Sequence, residues 1–401
     1  MTLVTTTDAL ADFCRTAAEA PYVTVDTEFL RERTYYPELC LVQLAMPGKG
    51  AEAAVVVDAL APGLDLGPLY ELFRRRETVK VFHAARQDLE IFWLRERLIP
   101  EPFFDTQVAA MVCGYGDQVG YDTLVRQIAR ASVDKSSRFT DWSRRPLSPA
   151  QLAYALADVT HLRAIYERLS AQLSKTGREK WVDEELAVLT DPETYRSDPE
   201  AAWLRLKFRS TAPKFLAAAR ELARFREELA QRRNVPRNRI LKDDALLELA
   251  AARPASPEDL GRARLLQRDA RRGEIADGIL AAMRAVEALS PAAMPVAPEQ
   301  ASRRVPGAEA LGELLRVLLK ARAEASGVAG KLIASSADLD AIAAGETAGV
   351  PALSGWRYEI FGADALRLRR GEIALSARGS TVTIVELPEA AEPASPSRAN
   401  G

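Results

Sequence analysis

The chain has 401 residues, 48% of them hydrophobic and 27% charged, with a formal net charge of −2. That length exceeds what one hydrophobic core usually serves, so two or three domains are expected. Its three cysteines, Cys14, Cys40 and Cys113, have no paired spacing and exclude a disulfide framework or cysteine zinc site, while two histidines, His83 and His161, exclude histidine-rich metal centres and most serine or cysteine hydrolase mechanisms.

The opening MTLVTTTDALADFC has no basic stretch followed by an apolar one, and no apolar run reaches about 18 residues, so export or membrane insertion is not expected and the chain reads as cytoplasmic. In Tyr22-Val23-Thr24-Val25-Asp26-Thr27-Glu28 the apolar alternation predicts a strand, and its period of two puts Asp26 and Glu28 on one face. The apolar run Val79 to Phe82 predicts a second strand that hands over to a helix containing Leu89, Phe92 and Trp93, with Asp88 at the handover, where sites assemble in open α/β sheets. Ser148-Pro149-Ala150-Gln151 has the N-cap, first-position proline and closing glutamine of a capping box, and starts a helix over about 149–173. Tyr154 and Asp158 lie four residues apart in it and project from one face.

A helical extension through Trp181 and Leu189 then meets the breakers Asp191-Pro192 and Asp198-Pro199, a domain boundary. Beyond it, Phe215, Ala218, Leu222, Phe225 and Leu229 recur at helical spacing, with Lys214, Arg220, Arg224, Arg232 and Arg233 on the other face. The turn Asn234 to Arg239 leads to Asp243-Asp244, placed to cap a helix holding Leu246, Leu247 and Leu249. At an offset of 93 residues the core positions Leu222, Phe225, Val235, Ile240, Leu246 and Leu249 recur as Leu315, Leu318, Val328, Ile333, Leu339 and Ile342, whereas Arg237, Arg239 and Lys242 become Gly330, Leu332 and Ser335. The Pro-Ala-rich segment 290–306 reads as a linker, Val382 to Val385 as a short strand, and 386–401 as a disordered tail.

Four converging carboxylates without a cation repel one another, which folds rarely tolerate. Oxygen-only ligands select hard divalent ions, Mg²⁺ or Mn²⁺, and a pair of such ions stabilises the attacking and leaving oxygens of a phosphodiester. Asp26, Glu28, Asp88, Tyr154 and Asp158 are therefore the candidate catalytic residues of a metal-dependent nuclease, the four acids its metal ligands. His83 and His161 read as satisfied structural histidines, and the glycines form no phosphate-binding loop. Residues 201–290 carry 19 basic and 12 acidic side chains, a surplus of seven positive charges, while 1–200 carry 23 and 31, a deficit of eight. The polyanion grip is placed in the middle of the chain.

On these residues the chain resembles the ribonuclease D family, in the tyrosine-bearing branch of the DEDD exonucleases. The likeness covers nearly all of residues 1–175 through VDTEFLRERTYYPELCLVQLA, FHAARQDLEIF, FDTQVAA, VDKSSRFTDWSRRPLS and AYALADVTHL. The histidine-bearing branch places its histidine five residues before the last aspartate, where this chain has Ala153. The resemblance implies a ribonuclease H-like α/β exonuclease domain over 1–195 that hydrolyses RNA from the 3′ end and releases nucleoside 5′-monophosphates. It implies that Asp26 bridges two ions, that Glu28 and Asp158 complete the nucleophile-side ion, that Asp88 serves the other, and that Tyr154 orients the water. Phe29 is at the position that packs against the terminal base, its plain alternative being a core side chain. By the same resemblance the substrates are structured small RNAs, especially tRNA precursors. WLRLKF and VPRNRILKDDALLELA resemble the all-α HRDC domain, here over 196–290, and the repeat implies a second, degenerate HRDC-like domain over 305–385. Such domains bind nucleic acid in some proteins and act as packing modules in others. Arg232, Arg233, Arg237 and Arg239 are expected to hold RNA, the rival being solvated surface or packing against the acidic catalytic domain. A DNA exonuclease and a non-cutting RNA scaffold are the alternative functions.

Overall fold

The computed structural model describes residues 2–48, 51–134, 136–138, 140–208, 210–296 and 307–388. Residues 297–306 of the expected 290–306 linker and 389–401 of the expected 386–401 tail lie outside these. Two compact units are present, one made of 1–106, 121–168 and 183–299, the other of 107–120, 169–182 and 300–401. No helix among the described residues is long and apolar enough to cross a membrane.

The first unit contains a six-stranded mixed sheet. Its strands are β1 (Thr2–Val4), β2 (Tyr22–Leu30), β3 (Glu38–Ala45), β4 (Ala54–Asp58), β5 (Val79–Phe82) and β6 (Phe103–Asp105), in the spatial order β1-β4-β3-β2-β5-β6. β3 runs antiparallel to both β2 and β4, and the remaining pairs are parallel. The near-continuous apolar runs LCLVQLA and AVVV suit strands covered on both faces. One face buries Val23, Val25, Val42 and Leu44 with Leu10, Phe13, Leu69, Phe73, Leu89 and Phe92. On the other, Leu41 packs with Ala155, and Ala45 with Val159, both from the Pro149–Thr176 helix.

That helix begins as the spacing predicts. The Ser148 hydroxyl accepts from the Gln151 amide N–H at 3.2 Å, and the Ser148 N–H donates to Gln151 Oε1 at 3.0 Å. It runs to Thr176, and a separate helix, Glu179–Thr190, follows after Gly177 in the left-handed region. The same unit holds the helices Pro213–Arg233, Asp243–Ala252 and Gly273–Glu287 around Leu216, Leu222, Leu229, Leu246, Leu249, Ile279 and Met283. Asp243 and Asp244 do not cap the second of these: Lys242 stands at the N-cap without a side-chain bond, and Asp243 instead pairs with buried Arg226 at 2.6 Å. An ion pair to a guanidinium outweighs a cap bond that water also satisfies.

In the second unit the helices Ala308–Ser326, Gly330–Ile333 and Ser336–Ala344 surround Leu315, Leu318, Ile333, Leu339 and Ile342. The short helix Arg237–Ile240 and the start of Asp243–Ala252 recur here at the offset read from the core positions. Trp181 stacks on Trp356 with ring centroids 4.8 Å apart. This unit departs from an all-helical domain. Its end is a hairpin of β7 (Ile373–Arg378) and β8 (Thr381–Glu386), turned through Gly379 at φ +60°. Two residues connect these strands, and a left-handed first turn residue matches their twist. β8 includes the predicted Val382 to Val385 and reaches Glu386, the first residue of the expected tail.

Candidate active site

Alternation along β2 puts Thr24, Asp26 and Glu28 on the face covered by the Pro149–Thr176 helix. The Thr24 hydroxyl lies 3.0 Å from the Ala45 carbonyl and 2.9 Å from that of Val159, tying strand to helix one residue from Asp158. Carboxylate oxygens of Asp26, Glu28 and Asp158 accordingly fall within 4.8 Å of one another. The register of β2 on β3 slips by one residue after Glu28, an irregularity of the kind that re-aims side chains beside active sites.

Asp88 stands outside that trio. It is buried in the first turn of the Arg86–Glu96 helix and accepts a hydrogen bond from the Thr27 hydroxyl, on the residue between the two strand acids. Its helix is set by Asp105, whose oxygens accept from Ala84 N–H at 3.0 Å and Ala85 N–H at 2.8 Å, with Ala84 at φ +59°. Asp26 is still near enough for its charge to push the Asp88 carboxyl further up, after burial itself.

Burial raises all four acids, and mutual repulsion adds to it for Glu28, Asp88 and Asp158. Asp26 is pushed up to about 7 and Asp158 to about 8. The positive charge of Arg138 acts in the opposite direction on Glu28 and Asp158. Tyr154 hydrogen-bonds to Asp158, and its phenol is held well above its ordinary range by burial and then by the carboxylates around it. It therefore keeps its proton. The Trp142 ring lies 6.0 Å from it at 30°. Clustered anionic oxygens with this much repulsion fit a hard divalent cation, which is what the donor set can hold.

A pH dependence follows. In chelator the folded chain holds protons on Asp26 and Asp158 that the unfolded chain has released above about pH 4. Stability therefore falls as pH rises from about 4 through 8, and a divalent ion reverses the loss. Melting temperatures at pH 5.5 and 8.5, with chelator or Mg²⁺, check this: stabilisation by Mg²⁺ is larger at pH 8.5. Identical Mg²⁺ effects at both values would contradict it.

The other singled-out residues divide. Phe29 is partly buried against the hydrophobic face of the sheet. His83 Nδ1 lies 3.0 Å from the Thr106 hydroxyl and its ring 5.6 Å from that of Tyr121. His161 is partly buried, and burial lowers its pKa. Arg232 and Arg233 are exposed and share Glu274, and Arg239 is exposed.

Arg237 departs from the expectation of an RNA contact. Its guanidinium bonds at 2.6 Å to Glu227, a side chain with no exposed surface, and lies 4.8 Å from the centre of the Tyr35 ring. Beside it Asn234, in the left-handed region, accepts the Tyr35 and Tyr36 N–H groups at 3.1 and 3.0 Å. Removing a guanidinium from a buried carboxylate costs more than one phosphate contact returns. A cleft of about 600 Å³ near Arg205, Arg237 and Lys242 lies apart from the four acids. Thr27, Asp105, Tyr121 and Arg138 were not signalled as site residues; Thr27, Asp105 and Arg138 had a cue in lying within VDTEF, FDTQVAA and VDKSSRFTDWSRRPLS, and Tyr121 had none.

The 3'-5' exonuclease family model matches residues 1–174, and the HRDC domain model residues 215–282. The chain is 63% identical over 385 residues to ribonuclease D of Jannaschia sp., covering 96% of this chain and 99% of that one. It is 51% identical over 384 residues to ribonuclease D of Granulibacter bethesdensis, covering 96% of each. The crystal structure of Escherichia coli RNase D, an exoribonuclease involved in structured RNA processing, superposes with a TM-score of 0.79 at 27% identity, over 92% of this chain and 98% of that one. The acidic cluster is thus carried by a matched exonuclease domain with a matched HRDC domain after it, and the chain belongs to the ribonuclease D family of 3′–5′ exoribonucleases.

Proposed function

We propose that the chain removes nucleotides from RNA 3′ ends with two divalent ions, Mg²⁺ or Mn²⁺, and releases nucleoside 5′-monophosphates. The observation that carries this reading is the approach of the Asp26, Glu28 and Asp158 carboxylates within 4.8 Å, with Tyr154 bonded to Asp158. Asp26, Glu28, Asp88 and Asp158 would hold the ions, which when bound supply Lewis acidity to the attacking and leaving oxygens. Tyr154, whose hydroxyl proton goes to Asp158, orients the attacking water through its hydroxyl oxygen. Phe29 offers the part of its ring left outside the core to the terminal base.

Structured small RNAs, tRNA precursors among them, are the proposed substrates, and the cytoplasm the proposed compartment, where unpaired thiols such as those of Cys14 and Cys40 persist. Residues 1–195 form the proposed catalytic domain, 196–290 the HRDC domain and 305–385 a second, HRDC-like domain. The repeated short helix and buried Leu315, Ile333, Leu339 and Ile342 support the last. Matched single-stranded RNA and DNA with free or blocked 3′ ends test the reading: RNA with a free end is shortened fastest and blocked RNA is not shortened. Equal hydrolysis of DNA and RNA would overturn the RNA assignment.

Arg232, Arg233 and Arg239 are the proposed RNA grip: all three are exposed, and an exposed pair such as that of Arg232 and Arg233 with Glu274 is weak and exchanges readily for phosphate. Each phosphate contact adds about 0.7 to the log-log salt slope for single strands, so replacing all three lowers its magnitude by about two. Filter binding across salt measures it. An unchanged slope would reject the grip, even with weaker affinity.

A further inference from the structure

We infer that Gln43 is a positioning residue of the acidic site: with a divalent cation bound, its side-chain amide would donate to the Asp26 carboxylate and hold it in the ligating orientation, a hydrogen bond it does not make without the ion. The inference rests on the metal-dependent reading above. In the pairing of β2 with β3, Gln43 stands directly opposite Asp26, and residues so placed project from the same face with Cβ atoms about 4.5–5.5 Å apart. Its same-face neighbours on β3 define where it lies. Leu41 packs on Ala155 and Ala45 on Val159, so Gln43 sits under the stretch of helix that carries Asp158.

Gln43 has no exposed surface, and among the described residues neither its Oε1 nor its Nε2 has a hydrogen-bond partner. Thr24 shows how the same face treats a polar group otherwise, since its hydroxyl meets two carbonyls. A glutamine buried without partners is worse than a leucine of similar volume, and the rest of LCLVQLA is apolar. The amide therefore needs a compensating role, and the group facing it supplies one. A ligating carboxylate has more acceptor positions than the cation uses, and its remaining lone pairs take donors from the surrounding shell. Asp26 has one donor from the backbone at Thr27. The Gln43 Nε2–H group, opposite Asp26 in the strand register and without another partner, would supply the second once an ion is held.

Gln43→Leu removes the donor at nearly constant volume, and Gln43→Met does so at constant length. Three readouts on the full chain are expected. In chelator the variants melt at or above the wild-type temperature, because an orphaned amide has been removed. Mn²⁺ titration without RNA, followed by the free-ion EPR signal, shows affinity reduced about tenfold, the usual consequence of losing a ligand's outer hydrogen bond. Turnover of a short RNA at fixed Mn²⁺ falls, with KM for RNA within twofold. Unchanged Mn²⁺ affinity in either folded variant overturns the inference. A lower melting temperature of both variants in chelator also overturns it, since the amide would then serve the fold. Wild-type protein that binds no Mn²⁺ would instead sink the metal-dependent reading itself.

Discussion

Replacing Asp26 or Asp158 by asparagine lowers RNA cleavage by at least about a thousandfold while the chain stays folded. An amide keeps the size of the carboxylate and removes the anionic ligand that a hard cation requires. Divalent ions contribute several kcal/mol of charge stabilisation to such transition states, and about 4 kcal/mol corresponds to that factor. Folding responds in the opposite direction. Each acid is raised by burial, and Asp158 also by the charge of Asp26, so neutralising one relieves the other. In chelator at neutral pH the variants melt above wild type. Initial rates on 5′-labelled RNA and melting curves check both, and an Asp26→Asn chain retaining a tenth of wild-type activity would remove Asp26 from the site.

Tyr154→Phe separates positioning from ion binding. The phenol hydroxyl bonds to Asp158, and its raised pKa leaves it a donor at neutral pH. Phenylalanine preserves the ring that faces Trp142 at 6.0 Å, so packing and Mn²⁺ affinity stay near wild type. The rate falls by about 10²–10⁴, the range for a positioned group acting on a proton in the transition state. Single-turnover cleavage at saturating metal measures this. A rate within twofold of wild type would assign Tyr154 to packing.

What was legible in the sequence is what local chemistry controls. Alternation placed Asp26 and Glu28 on one face of a real strand, and the capping box at Ser148 began the helix that brings Asp158 to them. The six-stranded order was not legible, because β3 and β4, Glu38, Gln43 and Asp58 apart, are runs of apolar residues without a period. Partners distant in sequence were equally hidden. Thr27 binds Asp88 across 61 residues, and Arg237 reaches Glu227 and Tyr35, so a run of arginines that reads as one patch divides between a buried network and the surface. The hairpin after Ile373 showed only its second strand, since Ile373 to Arg378 has little apolar alternation. Gln43 gave no cue at all: an amide within an apolar strand acquires meaning only from the residue opposite it.

The most direct test of the central claim is one time course of a 5′-labelled RNA with a free 3′ end, run with the pure chain in Mg²⁺ and in chelator. The account predicts a ladder that shortens one nucleotide at a time from the 3′ end, with nucleoside 5′-monophosphates as the released product, and no hydrolysis in chelator. Sustained cleavage in chelator, or internal cutting of the same RNA closed into a circle, would contradict it.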